Sequence, residues 1–308
     1  MRVIFLGTPD FAVPVLQKIL GSAHEVVAVV TQPDKASGRK KKLQAPPVKV
    51  CAEDAGLKVL QYDKISKEGV AELTALNADI MVTAAYGQIL SDEILGLCKH
   101  GVINAHGSIL PKYRGASPVQ CALLAGEEVV GVTVMQTAKA VDSGDIILTK
   151  SIQLDGTENI AECMAKLAVV GGEGIVEALD SIEAGTAIFT EQNHNEATFC
   201  SKFSKEDGQL DFTKTSKELV NFVRGMNPWP SAFCGTPNGK IKVLRAVQIE
   251  YSGKEECGTV VLSDKKTVAI KTADSALSIL ELQGEGAKAM DIASYLRGKT
   301  IEKGTMWE

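Results

Sequence analysis

ADIMVTAA, at residues 78–85, is a nearly unbroken apolar run. A strand with one face in water alternates apolar and polar residues. A run this continuous reads as a strand covered on both faces, as in a parallel sheet between two layers of helix. Working outward, RVIFL (2–6), EVVAVV (25–30) and GVINAH (101–106) repeat the pattern. Helical segments separate them. Residues 11–20 form one, and Pro46-Pro47 opens another through Ala55, since proline is tolerated in a first turn. Residues 129–136 and 145–153 are expected to pair as a hairpin, and 157–183 to form one long helix. The fold expected is α/β, a doubly wound, mostly parallel sheet.

The texture changes near residue 190. TEQNHNEATFCSKFSKEDGQLDF (190–212) is polar and lacks long periodicity. After a helix at about 215–225, short apolar runs alternate with Gly, Ser and Asp: GKIKVLRAVQIE, GTVVLS, TVAIKT and ALSILELQ. That spacing points to a small antiparallel barrel. The organisation expected is a catalytic domain over 1–189, a linker over 190–207 and a C-terminal barrel over 208–308.

The bulk numbers agree with two soluble domains. Of 308 residues, 45% are hydrophobic and 23% charged, ordinary globular usage. No run is long enough for a membrane helix, and MRVIFLGTPDF has no signal-peptide cleavage site. The seven cysteines are scattered without a Cys-x-x-Cys pair, as in a reducing cytoplasm. The four histidines form no metal-ligand spacing, so no metal site is expected. Net charge is −5 and does not advertise nucleic-acid binding, but it is uneven. Residues 1–204 hold 18 basic and 24 acidic side chains, residues 205–308 hold 15 and 14.

Three segments are candidate sites. GTPD (7–10) follows the first strand, but it fails both G-x-G-x-x-G and the P-loop pattern. It reads as a tight turn in which Thr8 or Asp10 caps the next helix. INAHGSILPKYRG (103–115) ends a strand in Asn104 and His106, which strand alternation puts on one face. Ligands of open α/β sheets sit at strand C-termini. There Asn donates to a carbonyl oxygen, and His stabilises developing negative charge. The alternative account, a satisfied core histidine and a turn-capping asparagine, stays open on spacing alone. AVDSGDII (140–147) offers Asp142 and Asp145 as metal ligands, acid/base groups or turn caps.

Taken together, these segments resemble a family. SILPKYRGASPV (108–119), the Asn-x-His before it and the Asp-x-Gly-Asp after it are similar to the signature of the 10-formyltetrahydrofolate-dependent formyltransferases. GTPDFAVPVL, TQPDKASGRKKKLQAPPVK (31–49), AYGQIL (85–90), MNPWP (226–230) and GEGAKAM (284–290) extend the likeness over nearly the whole chain, toward members acting on methionyl-tRNA. Ile109, Ser117 and Ser143 are conservative departures. The resemblance implies a Rossmann-like formyltransferase domain followed by an OB-like barrel, and a catalytic trio of Asn104, His106 and Asp142. It implies 10-formyltetrahydrofolate as formyl donor, bound near Ser108, Ile109, Leu110, Pro111, Tyr86 and Gly87. The acceptor implied is initiator methionyl-tRNA, in the bacterial cytoplasm, with the enzyme a monomer that needs no metal or membrane.

Residues 34–49 carry six basic side chains against one acid, Asp34. By themselves they read as a solvated surface loop. The resemblance makes Arg39, Lys40, Lys41 and Lys42 tRNA contacts, with Arg39 matching the family's key arginine. Trp229 in MNPWP reads as a hydrophobic plug or as a stacking platform for RNA. Lys240, Lys242 and Arg245 of the barrel are generic in number. Rival functions are formyl transfer to a purine precursor or an amino sugar, nicotinamide-dependent oxidation, and non-catalytic tRNA binding. The basic loop and the barrel oppose the first pair, the missing glycine fingerprint the next, and the intact trio the last.

Overall fold

The computed structural model describes residues 1–37 and 42–308. The chain divides into two compact units. One comprises 1–118, 129–153 and 164–200, the other 119–128, 154–163 and 201–308.

The first unit is built on β1 (Arg2–Gly7), β2 (Glu25–Thr31), the short pair β3 (Lys35–Ser37) and β4 (Lys42–Gln44), β5 (Val59–Gln61), β6 (Ile80–Ala84) and β7 (Val102–His106). The two-residue β8 (Arg114–Gly115), then β9 (Val129–Gln136) and β10 (Ile146–Gln153), follow. Seven of these strands form one sheet in the order β10-β9-β7-β6-β1-β2-β5. β7, β6, β1, β2 and β5 run parallel. β9 lies antiparallel to β7, and β10 antiparallel to β9 as the expected hairpin. The winding reverses between β1 and β6, the switch point outside which open α/β sheets bind ligands.

Both faces of the sheet are covered, which is why its strands read as continuous apolar runs. Val3, Ile4, Phe5 and Leu6 are all fully buried, each worth about 1.5–3 kcal/mol of transfer free energy. Ile4 and Leu6 share a core with Tyr62, Ile65, Leu73 and Ile94. The last three come from α3 (Ile65–Glu68), α4 (Val70–Ala75) and α5 (Asp92–Leu95). Alternation turns Val3 and Phe5 to the opposite layer, where α1 (Ala12–Leu20) and α2 (Pro47–Asp54) pack on β1 and β2. After α6 (Pro118–Leu124) comes α7 (Ile160–Glu183), the long helix expected. Its Gly174 lies against Val134 and Leu148 of the hairpin.

Within residues 190–212, Phe199–Cys200 is a strand, β11, that pairs in parallel with β8. Its backbone is thus fastened to the first unit, which the polar texture of the sequence does not announce.

In the second unit, α8 (Ser216–Met226) opens on a capping box, Thr215 and Glu218 each bonding the other's backbone. Leu219, Val223 and Met226 lie on one face at helical spacing and enter the core. Around them run β12 (Ala232–Thr236), β13 (Gly239–Ile249), β14 (Val260–Ser263), β15 (Val268–Lys271), β16 (Ala276–Gly284) and β17 (Met290–Asp291), before α9 (Ile292–Leu296). The strands form one antiparallel sheet, β12-β13-β16-β15-β14 with β17 on β16. Residues 304–308 bridge its two edges: Glu308 exchanges both backbone bonds with Gly235, and Gly304, Thr305 and Trp307 bond Val260 and Gly258. The expected antiparallel barrel is thereby closed. Trp307, 3% exposed, fills its core, whereas Trp229 is 51% exposed and is no buried plug. Lys240, Lys242 and Arg245 point outward from β13, with Lys240 Nζ 3.2 Å from the centre of the Phe233 ring.

Candidate active site

β6 and β7 are neighbours, and Thr83 stands beside Asn104 in their register. Thr83 Oγ1 donates to Asn104 Oδ1 at 2.8 Å. With its oxygen held there, the amide turns Nδ2 away as a donor. Nδ2 has no acceptor among the described residues.

Two residues on, His106 ends the strand with its side chain 6% exposed. Its Nε2 lies 2.9 Å from the carbonyl oxygen of Tyr113. A carbonyl only accepts, so Nε2 carries the hydrogen. Nδ1 faces Asp142 Oδ2 at 3.5 Å, long for a hydrogen bond. The same carboxylate oxygen accepts a shorter bond, 2.8 Å, from the backbone N–H of Gly115. Asp142 Oδ1 has no hydrogen-bond partner among the described residues. The structure therefore joins His106 and Asp142 and sets Asn104 on the same strand. Two groups are left open: an amide N–H donor and a carboxylate oxygen.

Backbone strain concentrates here. Of five non-glycine residues at positive φ among those described, three are Ala85 (φ 46°), Tyr113 (φ 60°) and Asp142 (φ 48°). Such conformations cost about 1–3 kcal/mol each and persist only where surrounding structure imposes them. The imposing structure is visible. Tyr113 N donates to Thr198 Oγ1 at 2.8 Å, Arg114 N to Thr198 O at 2.8 Å and Ala116 N to Cys200 O at 3.0 Å. Gly115 has φ 109°, and a Cβ there would collide with Cys200 O. The side chain of Gln192 bonds Arg114 on one side and the backbone of Asp142 and Gly144 on the other.

The segments expected to bind the formyl donor fall at the C-terminal ends of β6 and β7. In the turn Ser108–Pro111, Thr133 Oγ1 donates to Ser108 O at 2.7 Å and accepts from Leu110 N at 3.1 Å. Ser108 Oγ donates to Lys112 O at 2.6 Å. These groups are occupied within the protein, Leu110 is buried, Pro111 is half-buried, and Ile109 is the exposed member. Tyr86 packs in the core with Leu6 and Tyr62, its phenol oxygen buried without a partner among the described residues. Burial pushes that phenol up to about 12. The Tyr86 carbonyl accepts from Thr8 Oγ1 at 2.9 Å and Gln32 Nε2 at 3.3 Å. Thr8 thus ties β1 to the end of β6 instead of capping α1, which has no side-chain cap. Gly87 is exposed at φ 89°, and Ile89, 88% exposed, stands just beyond it.

Lys42 lies in β4, exposed, its neighbour Leu43 paired across the hairpin with Ala36. Arg39, Lys40 and Lys41 lie outside the described residues. The base of the hairpin is clamped. Lys49 Nζ bonds both oxygens of Asp34 at 3.0 Å, and Gln61 Nε2 bonds Asp34 Oδ1 at 2.8 Å. Gln61 first, then Lys49, hold the Asp34 carboxyl below its ordinary value. Among the described residues no helix is long and apolar enough to cross a membrane, and no cluster of three or more His, Cys, Asp or Glu is placed to hold a metal ion.

Residues 1–179 match the formyl transferase family model, and 202–300 match the model of the formyl transferase C-terminal domain. This chain belongs to the formyl transferase family. A relative from Agathobacter rectalis named methionyl-tRNA formyltransferase is 44% identical, over 100% of this formyl transferase and 99% of its own length. One of the same name from Clostridioides difficile is 41% identical over 99% of each chain. The solved N-formyltransferase of Helicobacter canadensis, in complex with folinic acid and dTDP-3-aminofucose, superposes with a TM-score of 0.67. It is 18% identical over 94% of this chain and 100% of its own, a likeness that speaks for the fold.

Sequence reasoning passed over Thr83, Thr133 and Gln192 in this formyl transferase. Thr83 and Thr133 left a signal, each being the single hydroxyl of an apolar strand. Gln192 left none, since it sits in a polar stretch without periodicity.

Proposed function

We propose that this protein transfers the formyl group of 10-formyltetrahydrofolate to the α-amino group of initiator methionyl-tRNA, as a monomer in the bacterial cytoplasm and without a metal. The observation that carries the reading is the Thr83–Asn104 bond, which leaves a directed amide donor beside the His106–Asp142 pair. Full-length similarity to relatives named methionyl-tRNA formyltransferase supports the choice of acceptor.

The chemistry follows from these groups. A free α-amino group has a pKa of about 7.7–8.0, and esterification of its carboxyl lowers it, so much of the amine is neutral near pH 7. Its lone pair forms a bond to the formyl carbon, and the carbonyl π pair moves to oxygen. Asn104 Nδ2 donates to that oxyanion. His106 supplies a second N–H once the substrate replaces the Tyr113 carbonyl at Nε2. Removing one such donor typically costs about 10²–10³ in rate. As the intermediate collapses, the bond to folate N10 breaks with its electron pair. Asp142, anchored through Oδ2 at Gly115, uses its open Oδ1 to carry the proton from the attacking amine toward N10. Ile89 and Ile109 offer apolar contact to the flat heterocycle at the ends of neighbouring strands, with Gly87 and the Ser108–Pro111 turn beside them.

Arg39, Lys40, Lys41 and Lys42 are assigned to tRNA phosphates, the outward lysines of β13 to the same polyanion. The test incubates the protein with 10-formyltetrahydrofolate and methionyl-initiator tRNA and assays formylmethionine. Folded Asn104→Ala and Asp142→Ala proteins are expected to lose transfer. Wild-type rates in both would overturn the site assignment.

A further inference from the structure

We infer that Gln192 is the positioning residue for Asp142, a role that rests on the catalytic reading of Asp142 above. Gln192 is 4% exposed, yet its whole amide is used. Nε2 donates to Asp142 O at 3.0 Å and to Gly144 O at 2.7 Å. Oε1 accepts from Arg114 Nη2 at 2.6 Å and Nε at 3.2 Å. Arg114 in turn precedes Gly115, whose N–H holds Asp142 Oδ2 at 2.8 Å. One buried side chain therefore joins the backbone of the catalytic residue to the segment that grips its carboxylate.

The residue type follows from this. Burying an amide is unfavourable unless each polar group is paired, so an apolar side chain would fill the space with less to satisfy. Glutamate keeps the acceptor for Arg114 but brings no N–H to the two carbonyls. Asparagine is one methylene too short to span the same groups. The loop it holds needs holding. Asp142 has φ 48°, and at Gly144 a Cβ would collide with Gln136 O. Without Nε2, the αL turn relaxes and the carboxylate moves, and a shift of about 1 Å at a reacting group can cost ~10²-fold in rate.

The experiment makes Gln192→Ala and Gln192→Glu in the full chain, each alone and combined with Asp142→Asn. It measures kcat, KM for 10-formyltetrahydrofolate and for methionyl-tRNA, and thermal unfolding. Gln192→Ala is expected to lower kcat by about 10- to 100-fold, with both KM values within about twofold of wild type. Gln192→Glu keeps its pairing with Arg114 and serves if the alanine protein does not fold. It is expected to show the same kcat loss. In the Asp142→Asn background neither change should lower kcat by more than about twofold further, since a residue acting through Asp142 has nothing left to position. Restored kcat in Gln192→Glu, or losses that multiply in the double variants, overturn the inference and leave the Asp142 assignment standing. A wild-type rate in Asp142→Asn alone overturns both.

Discussion

Thr83→Val isolates the bond that aims Asn104. Valine has nearly the shape of threonine and suits a buried strand, so β6 keeps its packing. What disappears is the 2.8 Å hydrogen bond to Asn104 Oδ1, with the longer 3.4 Å approach of the same hydroxyl to Ile103 O. A typical intramolecular hydrogen bond contributes about 0.5–1.5 kcal/mol net, and that free energy is the bias that keeps Nδ2 facing outward. Loss of this bias corresponds to a factor of about 2–13 in the ratio of correctly turned to flipped amide. Asn104 is half-buried, so its freed oxygen reaches water and adds little destabilisation. Reset to an even ratio, the productive fraction falls from about 0.7–0.93 to about 0.5, so the expected kcat is lower by about 1.4- to 1.9-fold, well short of the ~10²–10³ for deleting the donor in Asn104→Ala. Single-turnover formylation at saturating substrates reads this directly, with a urea titration to verify folding. Full activity in a folded Thr83→Val protein would show that the amide needs no aiming. A loss as deep as that of Asn104→Ala would show that Thr83 does more than aim it.

Other consequences are as direct. Gly115→Ala places a methyl against Cys200 O at φ 109°; it should destabilise the fold by at least about 1–3 kcal/mol and reduce transfer, and an unchanged urea midpoint would refute the close approach. Asp34 has its carboxyl pKa lowered by Gln61 and then Lys49, so its contribution is intact above pH 3.8 and fades as pH falls through the lower folded value. The stability difference between wild type and Asp34→Asn, followed by urea unfolding, should accordingly shrink in acid; a gap that widens there contradicts the clamp. Tyr86→Phe removes a buried hydroxyl that has no partner among the described residues and should leave stability unchanged or raise it by up to about 1–3 kcal/mol. Its KM for the formyl donor should stay at the wild-type value, because the phenol lies in the core. Neutralising Lys42 together with Arg39, Lys40 and Lys41 should raise KM for tRNA and reduce the salt slope by about one unit for each phosphate no longer neutralised, measured across a salt series.

The sheet was legible because burial on both faces leaves a continuous apolar signature, as at residues 80–84. The helix α8 was legible at about 215–225, but its capping box of Thr215 and Glu218 was passed over although it is local in sequence. Asn104 and His106 could be placed at a strand end from alternation alone, but Asp142 joined them only through the resemblance to a known family. The β8–β11 pair was not legible, since two residues on each side of a long separation create no period. Nor was it legible that Trp307, and not Trp229, is the covered tryptophan. Both are tryptophans near prolines or glycines, and which one is covered depends on strands elsewhere in the barrel. Thr8 was misread for a similar reason: its hydroxyl partner, the Tyr86 carbonyl, is 78 residues away, whereas a helix cap is a local proposition.

The β8–β11 clasp also sets a schedule. Strand, turn and histidine are all present in the chain by residue 115, and the aspartate by 142, but Gln192, Thr198 and Cys200 come off the ribosome later. At about 5–20 residues per second, roughly 5–20 s separate the synthesis of His106 from that of Cys200. For that interval the nascent chain carries its proposed reacting groups without the segment that imposes their strained backbone. On the catalytic assignment proposed above, competence is a late event in the protein's own synthesis, and a fragment cut at residue 189 would retain every side chain proposed for catalysis while lacking the segment that holds them.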